Sequence, residues 1–255
     1  DMGFTQVWLN PVLENAMDQW SYHGYATTDY YKVDPRFGSN DSYRALVDEA
    51  RGKGIGIIMD MIANHSGSGH WWMDDLPTTT WLNNPETHAV TSHARTTNQD
   101  PYASAYDKAR HADGWFVESM PDLNQRDPLL ADYLIQNSIW WVEYLGLSGI
   151  RQDTYPYPDK NFMAEWARRI MQEYPDFNMV GEEWSESPNV TAYWQRGKQN
   201  ADGYVSHLPG VFDFPLQIKL QKVLTADEPP WGSIWTPVYE LLGHDYLYPA
   251  PMDLV

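Results

Sequence analysis

The sequence predicts an α/β fold whose parallel strands belong to a TIM (β/α)8 barrel. Three observations predict it. Strand-like apolar runs alternate with helix-like segments along 255 residues, a length that suits one such barrel. The run Gly54-Ile-Gly-Ile-Ile-Met-Asp-Met-Ile62 is almost continuously apolar, as a strand covered on both faces must be. Two further runs, Gly149-Ile-Arg-Gln-Asp153 and Val180-Gly-Glu-Glu-Trp184, look like strand ends that deliver an acid. Asp153 and Glu182 lie 29 residues apart, about one strand–helix–strand unit of ~30 residues. Neighbouring parallel strands then bring both carboxylates to one rim.

The elements follow in order. Residues 4–9 read as a buried strand stopped by Asn10-Pro11. Ser39 to Ser42 supply helix caps, and the Tyr43, Leu46, Val47, Ala50 spacing carries a helix to about Arg51. After the strand at 54–62 the pattern lapses between 66 and 115. A structureless loop of ~50 residues is rare in a compact domain. Trp71, Trp72, Trp81, Tyr102, Tyr106 and Trp115 argue instead for a small inserted subdomain. Asp127-Pro128 caps a helix with proline at its first position, running to about Leu145. A strand follows at 149–153. A helix opened by Asp159 or Asn161 runs to about Tyr174, and a strand covers 178–184. A helix is predicted at 189–198, a short strand at 211–215 and a helix at 216–224. The Pro- and Trp-rich stretch 225–255 carries a weak helix near 233–242. The division predicted is barrel at 1–65, inserted subdomain at 66–117 and barrel at 118–255.

Composition narrows the function. With 35 acids against 17 bases the net charge is −18, which argues against nucleic acid or an anionic membrane surface as partner. No apolar stretch approaches the ~18 residues of a membrane-spanning helix. There is no cysteine, so disulfides and thiolate chemistry are excluded. That absence fits a periplasmic or secreted protein. The N-terminus has no signal-peptide pattern and runs straight into a strand, so the chain is expected to begin in mid-fold. The 13 Trp and 17 Tyr suit either a large core or a groove that stacks on sugar rings.

The chemistry gathers at the strand ends. Cleaving an acetal with retention needs a protonated acid at the leaving oxygen and an ionised carboxylate at the anomeric carbon. Arg151, two residues before Asp153, is expected to hold that aspartate ionised. Val180 and Trp184 flank Glu182 with apolar surface, which keeps a proton on it. The plainer alternative is an Arg–Asp structural pair beside a solvated glutamate. Asp60-Met-Ile-Ala-Asn64-His65 ends another strand. There His65 is a candidate donor to a sugar hydroxyl, and Asn64 a brace or cation ligand. Tyr25, among the tyrosines and histidine of 22–31, is either a stacking platform or part of a packed aromatic loop.

These segments together resemble the α-amylase family, glycoside hydrolase family 13, in the family's order. Gly3-Phe-Thr-Gln-Val-Trp-Leu-Asn-Pro11 resembles its second barrel strand, 60–65 the third, 149–153 the fourth and Gly181-Glu182 the fifth. Met120-Pro-Asp-Leu-Asn124 is similar to the motif near the end of its inserted subdomain, in the Met-Pro form of neopullulanase and cyclomaltodextrinase relatives. The resemblance implies a partial barrel, strands two to six. It implies retaining hydrolysis of α-1,4-glucosidic bonds in maltodextrins, cyclodextrins or pullulan. Transglycosylation, α-1,6 cleavage and a non-catalytic sugar-binding scaffold are the alternatives. It makes Asp153 the nucleophile and Glu182 the acid/base, with Arg151 and His65 around the cleaved sugar and Tyr25 beneath it. Two departures stand out. The family's third catalytic carboxylate, in a seventh-strand His-Asp motif, is expected beyond Val255, and His244-Asp245 does not match its setting. The segment alone is therefore expected to be inactive and prone to aggregate. The Lys-His that follows the nucleophile in many α-amylases, where the His helps bind calcium, is replaced by Thr154-Tyr-Pro-Tyr-Pro158. No cofactor is expected to be required, and calcium is an option through Asn64 or acidic loops.

Overall fold

A computed structural model describes residues 2–19, 21–225 and 235–255. Five strands form one parallel sheet in the order β1 (Gln6–Leu9), β4 (Gly56–Met61), β5 (Gly149–Gln152), β6 (Asn178–Gly181) and β7 (Gly210–Val211). Between the first two of these lies a small antiparallel pair, β2 (Leu13–Glu14) and β3 (Asp29–Val33). Helices α1 (Asn40–Gly52), α3 (Pro128–Leu145) and α4 (Lys160–Glu173) cover the sheet, α1 packing on β4 and on α3, and α3 on α4. α2 (Ala105–Ala112) lies within the stretch between β4 and α3. α5 (Pro188–Ala192), α6 (Phe214–Leu224) and α7 (Thr236–Leu242) complete the order. The architecture is a partial TIM barrel whose sheet does not close: among the described residues β1 pairs on one side only, and three of its four residues are exposed.

The caps explain where the helices begin. Ser39 accepts from the Ser42 backbone N–H while the Ser42 hydroxyl answers the Ser39 N–H, a reciprocal box before α1. The Asp127 carboxylate accepts from the N–H groups of Leu129 and Leu130, with Pro128 at the first helical position, and Gly146 ends α3 in the left-handed region at φ 65°. Asp159, the first of the two openers predicted, caps α4 through Asn161 and Phe162.

Several boundaries differ from expectation. The strand predicted at 178–184 stops at Gly181, and of the two acids that follow only Glu182 lines the site. The helix predicted at 189–198 is only Pro188–Ala192, and the strand at 211–215 is two residues. The weak helix begins at Thr236; its predicted start, 233–234, lies outside the described residues. The β2–β3 pair was not predicted, since β2 has two residues and no periodicity to read.

Much of the aromatic content fills the core. Trp72, Trp141, Trp166 and Trp194 are essentially buried, and three of their indole N–H groups have partners: Trp141 donates to Tyr30 O at 2.8 Å, Trp166 to Ser138 Oγ at 2.9 Å and Trp194 to Glu183 Oε2 at 3.2 Å. Trp72 and Trp81, from the stretch after β4, pack with Tyr30 of β3 and Tyr133 of α3. Leu82 and Leu123 form a bridge, as do His65 and Asp122, so the far end of that stretch returns to the carboxyl end of β4.

Candidate active site

Strand register assembles the site. Asp60 of β4 is the register partner of Arg151 on β5, and Gln152 is the partner of Gly181 on β6. One step further along each strand, Asp153 and Glu182 stand side by side, tied by Glu182 N donating to Gln152 O at 3.1 Å. Carboxyl ends of parallel strands are where α/β sheets present their functional groups. Here they open on a cavity of about 440 Å³ lined by Asp153, Glu182, Arg151, His65 and Tyr25, all five predicted site residues. The cavity also meets His23, Arg95, Phe116, Met120, Thr154, Tyr157 and Trp184.

Two glycines allow this approach. Gly181 packs so closely that a Cβ would lie 2.7 Å from Leu208 and 2.9 Å from Tyr155. Gly24, at φ 87°, faces the Pro11 carbonyl, which a Cβ would meet at 2.6 Å, and so sets Tyr25 at the cavity.

Arg151 is the centre of the charge network. Its Nη1 donates to Asp60 Oδ1 at 2.7 Å and to Asp153 Oδ1 at 2.8 Å, and its Nη2 contacts Glu182 Oε1. The guanidinium also lies 5.2 Å from the Trp8 ring centre and 5.6 Å from that of Tyr25. One cation therefore serves three buried carboxylates. Burial pushes the Asp153 carboxyl up to about 8, with Arg151 acting against it and the charges of Glu182 and Asp60 acting with it. Asp60 is pushed up to about 6 by burial. Arg151 favours the ionised form of Asp153, as expected, but its guanidinium is shared among three carboxylates and burial of Asp153 outweighs it.

Glu182 is also held differently from expectation. Trp184 meets it with its indole N–H, donating to Oε1 at 2.8 Å, and not with an apolar face. Thr154 N donates to the other oxygen, Oε2, at 3.0 Å. The adjacent Glu183 points away, into a buried setting between Arg95 at 3.3 Å and the Trp194 indole at 3.2 Å, where burial pushes it up to about 7.

His65 is buried, stacked on Phe116 and pushed down to about 4 by burial, so its ring is neutral. Nδ1 lies 3.2 Å from the Asn64 amide nitrogen and accepts from it, which leaves the proton on Nε2, 3.1 Å from Tyr25 O. The proton expected for a sugar hydroxyl is thus engaged by a carbonyl. The Tyr25 hydroxyl donates to Asp60 Oδ2 at 3.1 Å and its ring is half-buried against His23.

Asn64 Oδ1 is a buried oxygen without a hydrogen-bond partner, the kind of atom a hard cation accepts. Among the described residues, however, no three His, Asp or Glu side chains converge in a group that would hold a metal ion. No described helix is long and apolar enough to cross a membrane.

Sequence reasoning left Asp60, Trp8 and Thr154 unassigned. Asp60 had a signal, an acid inside an otherwise apolar strand. Arg95 had none, because it reaches the cavity from the stretch between β4 and α3, on a short turn at Arg95–Asn98. Asp245 belongs to another short turn, Asp245–Leu247, packed against α5, and does not line the cavity.

An open parallel sheet with acids and aromatic rings at its carboxyl ends defines an α/β barrel-type domain. The chain belongs to the alpha-amylase family: the family model described as "Alpha amylase, catalytic domain" matches residues 1–208. It is similar to Neopullulanase 2 of Thermoactinomyces vulgaris, 30% identical over 206 residues, covering 78% of this chain and 32% of that one. Alpha-amylase 3 of Dictyoglomus thermophilum is 27% identical over 233 residues, covering 86% of this chain and 42% of its own. The α-amylase of Geobacillus thermoleovorans, solved with acarbose, superposes with a TM-score of 0.77 at 29% identity, over 98% of this chain and 50% of that one. The chain thus spans half or less of the length of these relatives.

Proposed function

We propose that the whole protein hydrolyses α-1,4-glucosidic bonds of maltodextrins, cyclodextrins or pullulan, with retention of anomeric configuration. The observation that carries this reading is the β5–β6 register, which sets Asp153 and Glu182 side by side at one cavity. Retaining glycosidases work through two carboxyl groups about 5–5.5 Å apart.

In the first step a carboxylate oxygen of Asp153 bonds to the anomeric carbon. The glycosidic bond breaks, and Glu182 gives its proton to the departing oxygen. In the second step Glu182 takes a proton from water, whose oxygen bonds to the anomeric carbon and releases Asp153. Arg151 neutralises part of the charge on both carboxylates and fixes one oxygen of each. Tyr25 offers its ring beneath the sugar in the cleaved position. His65, neutral and stacked on Phe116, forms the wall beside it. No step requires a cofactor.

The similarity to Neopullulanase 2 and to the two α-amylases supports an α-glucan substrate. The test is product analysis with the whole protein on γ-cyclodextrin, pullulan and linear maltodextrin, with Asp153→Asn as control. Ring opening or trisaccharide release that vanishes in the control supports the proposal. Sugar binding without turnover on all three refutes it.

A further inference from the structure

We propose that Thr154 is a positioning residue that fixes Asp153 and Glu182 relative to each other. The proposal rests on the reading of those two as nucleophile and acid/base.

Thr154 reaches both carboxylates with two different groups. Its hydroxyl donates to Asp153 Oδ2 at 3.0 Å, and its backbone N–H donates to Glu182 Oε2 at 3.0 Å. Arg151 already holds Asp153 Oδ1 and Glu182 Oε1. Each carboxylate is therefore gripped at both oxygens, one by Arg151 and one by Thr154. A planar group held at both oxygens cannot rotate about its terminal torsion, which is otherwise broad. That rotation is what must be suppressed for one acid to face the anomeric carbon and the other the leaving oxygen, because sub-ångström placement sets the rate.

The backbone makes the double grip possible. Thr154 sits at φ 45°, in the left-handed region. A β-branched residue is an outlier there, and such strain persists only where the surroundings impose it. They do so here. Tyr155 N donates to Glu182 O at 3.2 Å, Tyr157 N donates to Thr154 O at 2.9 Å, and the Tyr155 ring is wholly buried against Trp194. The turn after β5 is thus strapped to the end of β6 on both sides of Thr154. Glycine would take this backbone more freely. Threonine adds the hydroxyl, and the hydroxyl is what touches Asp153.

The role has a directional consequence. A donor to Asp153 Oδ2 favours the ionised carboxylate, so removing it makes Asp153 harder to ionise. The experiment compares Thr154→Val, Thr154→Gly, Thr154→Ser and Asp153→Asn in the whole protein on one maltodextrin, with kcat, KM and the pH profile of kcat/KM. Val keeps the shape without the hydroxyl. Gly keeps the N–H and relieves the backbone, so it covers the case in which Val fails to fold. Both are expected to lose about 10- to 100-fold in kcat, with KM changed by less than about threefold. Both are also expected to move the acid limb to higher pH. Ser, which keeps the donor, is expected to recover most of the loss. Wild-type kcat and an unmoved acid limb in Val and Gly overturn the proposal. So does an equal loss in all three Thr154 variants with the limb unmoved, which marks a purely structural role. Turnover that survives Asp153→Asn overturns the underlying assignment, and the proposal with it.

Discussion

Arg151 donates to Asp60 at 2.7 Å across the β4–β5 register, so the guanidinium is braced from the strand next to the one that carries the nucleophile candidate. Asp60 also accepts from the Trp8 indole at 3.0 Å and from the Tyr25 hydroxyl at 3.1 Å, which ties β1 and the 22–31 loop to the same carboxylate. Asp60 thus organises the cation without lining the cavity.

Asp60→Asn is therefore expected to cut kcat about tenfold by loosening Arg151. It also removes a negative charge near Asp153 and leaves more of the guanidinium to it. Both effects lower the Asp153 pKa, so the acid limb of kcat/KM moves to lower pH. A pH–rate profile of the variant checks the sign, and a limb that moves upward contradicts it.

Adjacent glutamates separate cleanly. Glu182→Gln removes the proton donor and is expected to cost about 10²- to 10⁴-fold in kcat while sugar binding persists. Glu183→Gln changes a buried partner of Arg95 and Trp194 and is expected to cost less than about tenfold. Steady-state kinetics with calorimetric binding distinguishes the two, and the reverse order would exchange their roles.

Stability should rise on mild acidification. Burial raises Asp153 to about 8 and Glu183 to about 7, from ordinary values of 3.8 and 4.5. Between those limits the folded state holds more protons than the unfolded one, so stability falls as pH rises through the window. Buried His65 and His70 act in the opposite sense, being lowered from 6.5 to about 4, and lose stability as pH falls through that window. From pH 8 down to about 6.5 the acids act without opposition from these histidines. Scanning calorimetry should find Tm rising over that span and the rise flattened in Asp153→Asn. A Tm that falls from pH 8 to 6.5 contradicts the assignment of buried, proton-holding acids.

Gly181→Ala drives a methyl group into Leu208 and Tyr155, both fully buried. Overpacking of this kind costs about 1–3 kcal/mol, or about 2–4 °C of Tm per kcal/mol. Because Glu182 is the next residue, kcat should fall as well. Thermal melts with kinetics check both, and an unchanged Tm would show that the turn after β6 has room to give.

The sheet was legible in the sequence wherever a strand is buried on both faces. β4 carries the apolar run that such burial demands, and the caps at Ser39, Asp127 and Asp159 mark their helices by side-chain chemistry alone. Very short elements were read poorly: β2, with two residues, offers too few for any period, and β7 was located near 211 but read too long. The acids at the site were readable because a charge at the end of an apolar strand is anomalous. The sharing of Arg151 among three carboxylates was not, because register between β4 and β5 joins residues 91 positions apart. Arg95 was invisible for the same reason, since its partner Glu183 is far along the chain and its own segment has no pattern.

The most direct test of the central claim is to trap the glycosyl-enzyme and find where the sugar sits. The Glu182→Gln protein, incubated with a slow fluorosugar α-glycosyl fluoride whose leaving group needs no acid, should gain one sugar by intact mass. Peptide mapping should place it on Asp153. A sugar on another carboxylate contradicts the account, as does turnover of the glycosyl fluoride to product of inverted configuration.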